Sequence, residues 1–157
     1  MSDGFEPKVE ATGVHWMVDI ESLGGTETGN GVILSIGACR FGEQGIEDKF
    51  YRSIDLWDSL MEGMTIAPDV VEWWRKQSPH ARGAAQPGKG RVSLRQALGE
   101  FSMLIKKTQY IWAKGPDYDL VMLQGAYRTI GQPIPWSWRL SRDYRTIAWL
   151  AGLKKPA

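Results

Sequence analysis

The clearest signal along the chain is a change in hydrophobic period. In His15-Trp16-Met17-Val18-Asp19-Ile20-Glu21, Trp16, Val18 and Ile20 recur at every second position. That period puts the three on one face of a strand and leaves Met17, Asp19 and Glu21 on the other. Gly24 to Gly31 is polar, holds four glycines and predicts a hairpin link. A strongly apolar second strand runs from Val32 to Phe41, with Gly42-Glu43-Gln44-Gly45 as its turn. A third strand, Ile46 to Leu56, carries Phe50, Tyr51 and Ile54. Three consecutive strands with short links predict an antiparallel meander.

Beyond this meander the period becomes helical. Pro68 to Gln77 begins with a proline suited to a first turn, then places acidic residues before basic ones, as the helix dipole favours. Ala81 to Arg91 is rich in Gly, Pro and Ala and predicts a loop. Ser93 caps an amphipathic helix whose Leu94, Ala97, Leu98, Phe101, Leu104 and Ile105 share one stripe. Tyr110 to Ala113 is a short buried strand, broken by Lys114-Gly115-Pro116. A helix opens at Asp117 or Asp119 and buries Leu120, Leu123, Ala126, Tyr127 and Ile130 before Gly131 ends it. An extended piece leads to Asp143, and a helix starts at Tyr144. Antiparallel strands followed by helix–strand alternation predict an α/β fold, a mixed central sheet flanked by helices.

Length changes this picture little: 157 residues make one domain with room for a core. Residues 1–13 read as a flexible leader and 14–157 as the domain. A net charge of +1 gives the whole molecule no strong pull on phosphates, so nucleic-acid binding needs a local patch or a metal. A single cysteine, Cys39, excludes an internal disulfide and a multi-cysteine zinc site. No apolar run reaches the roughly 20 residues of a membrane span, and the polar N-terminus lacks the apolar core of a signal peptide. The cytoplasm is the expected compartment. Eight tryptophans imply tight packing or stacking surfaces.

The candidate chemistry is acidic. Asp19 and Glu21 point the same way from one strand and repel each other, an arrangement that a cation neutralises. The bland alternative is a solvated edge-strand pair. Asp119 reads as a helix cap that also serves as a ligand, kept ionised by the positive end of the dipole. Hard divalent cations take oxygen ligands of this kind. Two ions roughly 3.5–4 Å apart activate a water and stabilise a leaving phosphate oxygen. Trp73 and Trp74 cannot both face the core of one helix, so one is free to stack on a base. Gln77 and Ser78 are candidates for the same groove. His15 and His80 read as structural and surface residues, and Lys89, Arg91 and Arg95 as a solvated face.

Val18-Asp19-Ile20-Glu21, Ile33 to Ala38, and Trp112-Ala113-Lys114-Gly115-Pro116-Asp117-Tyr118-Asp119, in this order, resemble the DEDD superfamily of 3′–5′ exonucleases, named for its four acidic residues. Within it, the Trp73-Trp74 helix and Arg142-Asp143-Tyr144-Arg145-Thr146 are most similar to exonuclease VIII-like enzymes of phages and prophages. The resemblance implies a ribonuclease H-like fold and a metal-dependent 3′–5′ exonuclease using Mg²⁺ or Mn²⁺ as two ions. It implies action at a nucleic-acid 3′ end, with DNA favoured over RNA, and the host cytoplasm if phage-encoded. It matches Asp19, Glu21 and Asp119 to the catalytic metal ligands, with Trp73, Trp74 and Gln77 against substrate. Asp117 and Asp143 are secondary candidates. In the family a third motif on a final helix carries the fourth carboxylate and a His or Tyr for the attacking water. The sequence through Ala157 holds no match to it. The expectation is therefore an incomplete C-terminus, with a downstream segment or second chain supplying that helix. The alternative is a catalytically silent binding module of the same fold.

Overall fold

The computed structural model describes residues 14–85 and 90–153. The expected leader and Lys89 lie outside the described residues. Three strands come first: β1 His15–Ser22, β2 Ile33–Gly42 and β3 Gly45–Ser53. Helices α1 Leu56–Met61, α2 Pro68–Arg75, α3 Pro79–Ala85 and α4 Leu94–Ile105 follow. Then come β4 Tyr110–Ala113, α5 Asp119–Thr129, β5 Ser141–Asp143 and α6 Tyr144–Leu150. The strand order is β3-β2-β1-β4-β5. β1, β2 and β3 pair antiparallel, whereas β4 pairs parallel with both β1 and β5. This is the mixed sheet that the order of elements predicts.

The apolar face of β1 is the core. Trp16, Val18 and Ile20 are buried with Ile33, Leu34 and Ile36 of β2. The stripes of α4 and α5 close over them. Ser93 caps α4 by accepting a hydrogen bond from the Gln96 backbone N–H at 3.1 Å. Tyr127 ties the two helices together. Its hydroxyl donates to the Leu98 carbonyl at 2.9 Å and lies 2.8 Å from Ser102 Oγ. Burial pushes this phenol up to about 12. The opposite face of β1 carries His15, Met17, Asp19 and Glu21. His15 is structural: it stacks on Tyr110 at 5.1 Å and accepts from Trp112 Nε1 at 3.0 Å.

Two elements differ from expectation. The third strand ends at Ser53, and Leu56 begins α1. Asp55 accepts from the Asp58 N–H at 2.9 Å, and this cap turns the chain out of the sheet. Pro79–Ala85 is helical, so the loop predicted over Ala81 to Arg91 begins inside a helix, and its residues 86–89 lie outside the described residues. Proline at the first position and the alanines favour a helical turn over the loop that the glycine suggests. No helix among the described residues is long and apolar enough to cross a membrane.

Candidate active site

The three parallel strands end at the same edge of the sheet, where open sheets bind ligands. β1 brings Asp19, Glu21 and Ser22. The turn after β4 brings Lys114 and Gly115 and leads to Asp119 as the first residue of α5. β5 leads to Asp143 and the first turn of α6, with Arg145.

Asp119 joins the two acidic motifs. Its Oδ1 accepts the backbone N–H of Ile20, the residue between Asp19 and Glu21, at 3.2 Å. It is only 7 % exposed. Burial raises its carboxyl to about 6, with Asp19 adding to the rise and the Ile20 bond and Arg145 opposing it. Asp19 stands exposed on the sheet surface, yet crowding by the protein still raises its carboxyl, against the pull of Lys114. Glu21 is raised by burial and then by the charges of Asp19 and Asp119. The three carboxylates therefore share one electrostatic field with no internal cation paired to them among the described residues.

Beside Glu21 opens a cavity of about 460 Å³, walled by Ser22, Asp69, Trp73, Trp74 and Tyr118. Its walls are braced to the end of β1. Ser22 falls on the same buried face of β1 as Trp16, Val18 and Ile20, and opposite it β2 carries an extra residue, Leu34, where the β1–β2 register slips. Ser22 Oγ lies 2.6 Å from the Tyr118 hydroxyl, and each has the Gly24 carbonyl at 3.2 Å. Trp74 is buried and donates its Nε1–H to the Ser22 carbonyl at 2.7 Å. Trp73, next in the helix, is 55 % exposed and meets Trp74 edge-on, with ring centroids 5.0 Å apart. Both line the cavity, but Trp74 also anchors α2 to β1 while the ring of Trp73 stays open to solvent.

The remaining sequence candidates lie differently. Gln77 turns its amide back to the Trp73 carbonyl at 3.0 Å, at the end of α2, and is not part of the cavity wall. Asp117 is exposed on the turn before α5. Asp143 caps α6, its Oδ1 accepting from the Arg145 N–H at 2.9 Å and its Oδ2 from Thr146 Oγ1 at 2.8 Å. Four residues that the sequence reading did not single out reach the site: Ser22, Asp69, Tyr118 and Lys114. Tyr118 had a signal, since it stands between Asp117 and Asp119 in the second acidic motif.

An all-oxygen donor set of three carboxylates suits a hard divalent cation. As placed, however, no group of three or more His, Cys, Asp or Glu side chains among the described residues converges on a single ion position. The trio matches such an ion in chemistry and charge, and its side chains must rotate to coordinate one.

A family model for the Rv2179c-like 3′–5′ exoribonuclease domain matches residues 14–156. The chain belongs to this family. The solved structures similar to this exoribonuclease-like domain include exonuclease I of E. coli. Its complex with a dA13 oligonucleotide shares 12 % identity at a TM-score of 0.61, over 88 % of this chain and 30 % of that one. Its zinc-bound complex with single-stranded DNA shares 15 % identity at a TM-score of 0.62, over the same 88 % and 30 %. The structure on which its processivity was argued shares 14 % identity at a TM-score of 0.62. The exoribonuclease-like domain thus has the ribonuclease H-like fold of exonuclease I and spans less than a third of that protein's length. No curated protein matches it.

Proposed function

We propose that the domain is a metal-dependent exonuclease that removes nucleotides from the 3′ end of a nucleic-acid strand. The observation that carries this reading is the cavity beside Glu21. It has the size of a nucleoside, aromatic walls and no cationic lining, so it suits the uncharged part of a terminal nucleotide. A strand whose last nucleoside fills it brings its final phosphodiester to Asp19, Glu21 and Asp119. Recognition of an end, rather than of an internal linkage, is supported by the family's description as a 3′–5′ exoribonuclease domain.

In this reading Asp19, Glu21 and Asp119 hold two Mg²⁺ or Mn²⁺ ions. When bound, such ions lower the pKa of a water and stabilise the leaving oxygen. Asp119 keeps its position through the Ile20 N–H. Trp73 stacks on the terminal base, while Trp74 holds α2 against β1. The Ser22–Tyr118 contact fixes the wall opposite. Half-buried Met17, Cys39, Phe41 and Trp112 form an apolar strip on the carboxylate face of the sheet, a seat in this reading for a helix of a second chain that carries the fourth carboxylate and the water-orienting His or Tyr of the DEDD pattern. Closer kinship with phage exonuclease VIII-like enzymes rests on the Trp73-Trp74 helix and the Arg142–Thr146 segment.

RNA is supported as substrate by the family's description and DNA by the oligonucleotides bound to exonuclease I. A second reading, binding without cleavage, has one observation in its favour: the acids do not converge as placed. The deciding assay follows 5′-labelled RNA and DNA strands of equal sequence with Mn²⁺ or Mg²⁺. Stepwise shortening from the 3′ end that is lost in Asp19→Asn is expected. Tight binding of both strands with no shortening in either metal would establish the second reading instead.

A further inference from the structure

The cluster of acids is bordered by a cation that the proposed chemistry leaves without a role. Arg145 lies on the first turn of α6, at the end of β5. The carboxylate nearest in sequence, Asp143, is saturated by the helix it caps: one oxygen takes the Arg145 backbone N–H and the other takes Thr146 Oγ1. Arg145 is exposed and forms no ion pair among the described residues. Its guanidinium lies against Gly115. A Cβ built on Gly115 would lie 3.1 Å from Nη1, 3.2 Å from Cζ and 3.3 Å from Nη2. Three nearly equal distances mean that the guanidinium plane faces Gly115, so the fork of N–H donors along its edge is left for another partner. Gly115 belongs to the same turn that delivers Asp119, and the positive charge of Arg145 is felt at that carboxylate.

We propose that Arg145, seated flat on Gly115, is a substrate-binding residue that grips a phosphate of the nucleic-acid strand as it crosses the acidic trio. A planar fork matches two phosphate oxygens at once, which a lysine cannot do. The arrangement also gives the strand a direction. The cavity beside Glu21 offers aromatic rings and the carboxylate of Asp69, which accept the nucleoside and repel phosphate. Lys114 and Arg145 lie on the β4–β5 side and attract it. The strand therefore enters over Arg145 and ends beside Trp73. A methyl group at position 115 would meet the guanidinium and push it away by a few tenths of an ångström.

This inference rests on the exonuclease reading but is tested apart from it, by binding without cleavage. A fluorescent single-stranded RNA is titrated with the full chain in EDTA at several salt concentrations. Each phosphate contact on a single strand contributes about −0.7 to the slope of log K against log salt. Arg145→Ala is expected to bind about ten-fold more weakly and to lower the magnitude of that slope by about 0.7. Arg145→Lys keeps the charge and so the slope, while losing several-fold in affinity. Gly115→Ala, which displaces the fork, weakens binding in the same direction. Lys106→Ala removes an equal charge just past the end of α4 and is expected to change nothing. A slope in Arg145→Ala equal to the wild-type slope overturns the proposal, whether or not affinity falls, since a structural role moves affinity and melting temperature alone. Should Arg145→Ala not fold, Arg145→Lys decides: affinity equal to wild type removes the role of the fork. Salt-dependent, Arg145-dependent binding with no shortening in Mn²⁺ or Mg²⁺ defeats the nuclease reading and leaves this one standing.

Discussion

Asp119 is a carboxylate at 7 % exposure that feels the like charges of Asp19 and Glu21. Its folded value of about 6 lies above the 3.8 of a free aspartate, so the fold without metal holds the protonated form more tightly than the unfolded chain does. The sign follows. Whatever stability this group contributes is present below about pH 4 and is lost as pH rises through about 6. A shift of that size corresponds to at most about 3 kcal/mol. Asp119→Asn retains an oxygen to accept the Ile20 N–H and removes the charge. In EDTA, urea midpoints for the variant should therefore exceed wild type above pH 6 by an amount worth roughly 1–3 kcal/mol and converge with it near pH 4. Equal midpoints at pH 7 would mean that Asp119 carries no such burden. A group retained at a cost to the empty fold is what a binding site requires and what a mere helix cap does not.

At the scale of elements, helix α2 shows how much a local pattern can disclose. Two adjacent tryptophans on a helix must point about 100° apart, and that alone separates an anchor from an exposed ring. What the pattern withholds is which is which. Trp74 is the anchor because it is buried and the Ser22 carbonyl at the end of β1 accepts its indole N–H, a contact between residues 52 apart in the chain. The elements misread fail for local reasons as well. Leu56 continues the apolar rhythm of β3, but the Asp55 cap ends the sheet there. Glycine in 79–85 suggests a loop, and Pro79 with its alanines makes a helical turn instead. The two tryptophans give a paired prediction. Trp74→Ala should cost about 3–5 kcal/mol or unfold α2 locally, visible as loss of amide protection in that helix. Trp73→Ala should leave urea midpoints within about 0.5 kcal/mol of wild type and raise KM for a strand about ten-fold. If the two substitutions had equal effects on stability, Trp73 would be packing and not a wall of the site.

Over the whole molecule, the sheet order and the core follow from periods that any reader of the chain can count. The site is less legible, since it is made by three strand ends that meet only in space. The Ile20–Asp119 hydrogen bond spans 99 residues, and the seat of Arg145 on Gly115 joins segments that no spacing rule connects. Asp19, Glu21 and Asp119 were legible because carboxylates in an apolar strand and at a buried helix start conflict with their surroundings. Lys114 and Arg145 were not, because an exposed cation conflicts with nothing. The acids themselves form a site only if an ion draws them together, and that makes the behaviour of the intact chain the decisive readout. An ion that binds the folded chain alone stabilises it by about 2.7 kcal/mol at a hundred times its dissociation constant. At this chain length that amounts to a rise of roughly 5–10 °C in melting temperature. Saturating Mn²⁺ or Mg²⁺ should produce such a rise in the wild type, with NaCl at matched ionic strength as reference. In Asp119→Asn the starting melting temperature should be higher and the metal-induced rise small, so that the two proteins approach each other as metal is added. Parallel shifts in both would place the ion elsewhere on the molecule and remove the trio from the chemistry proposed for it.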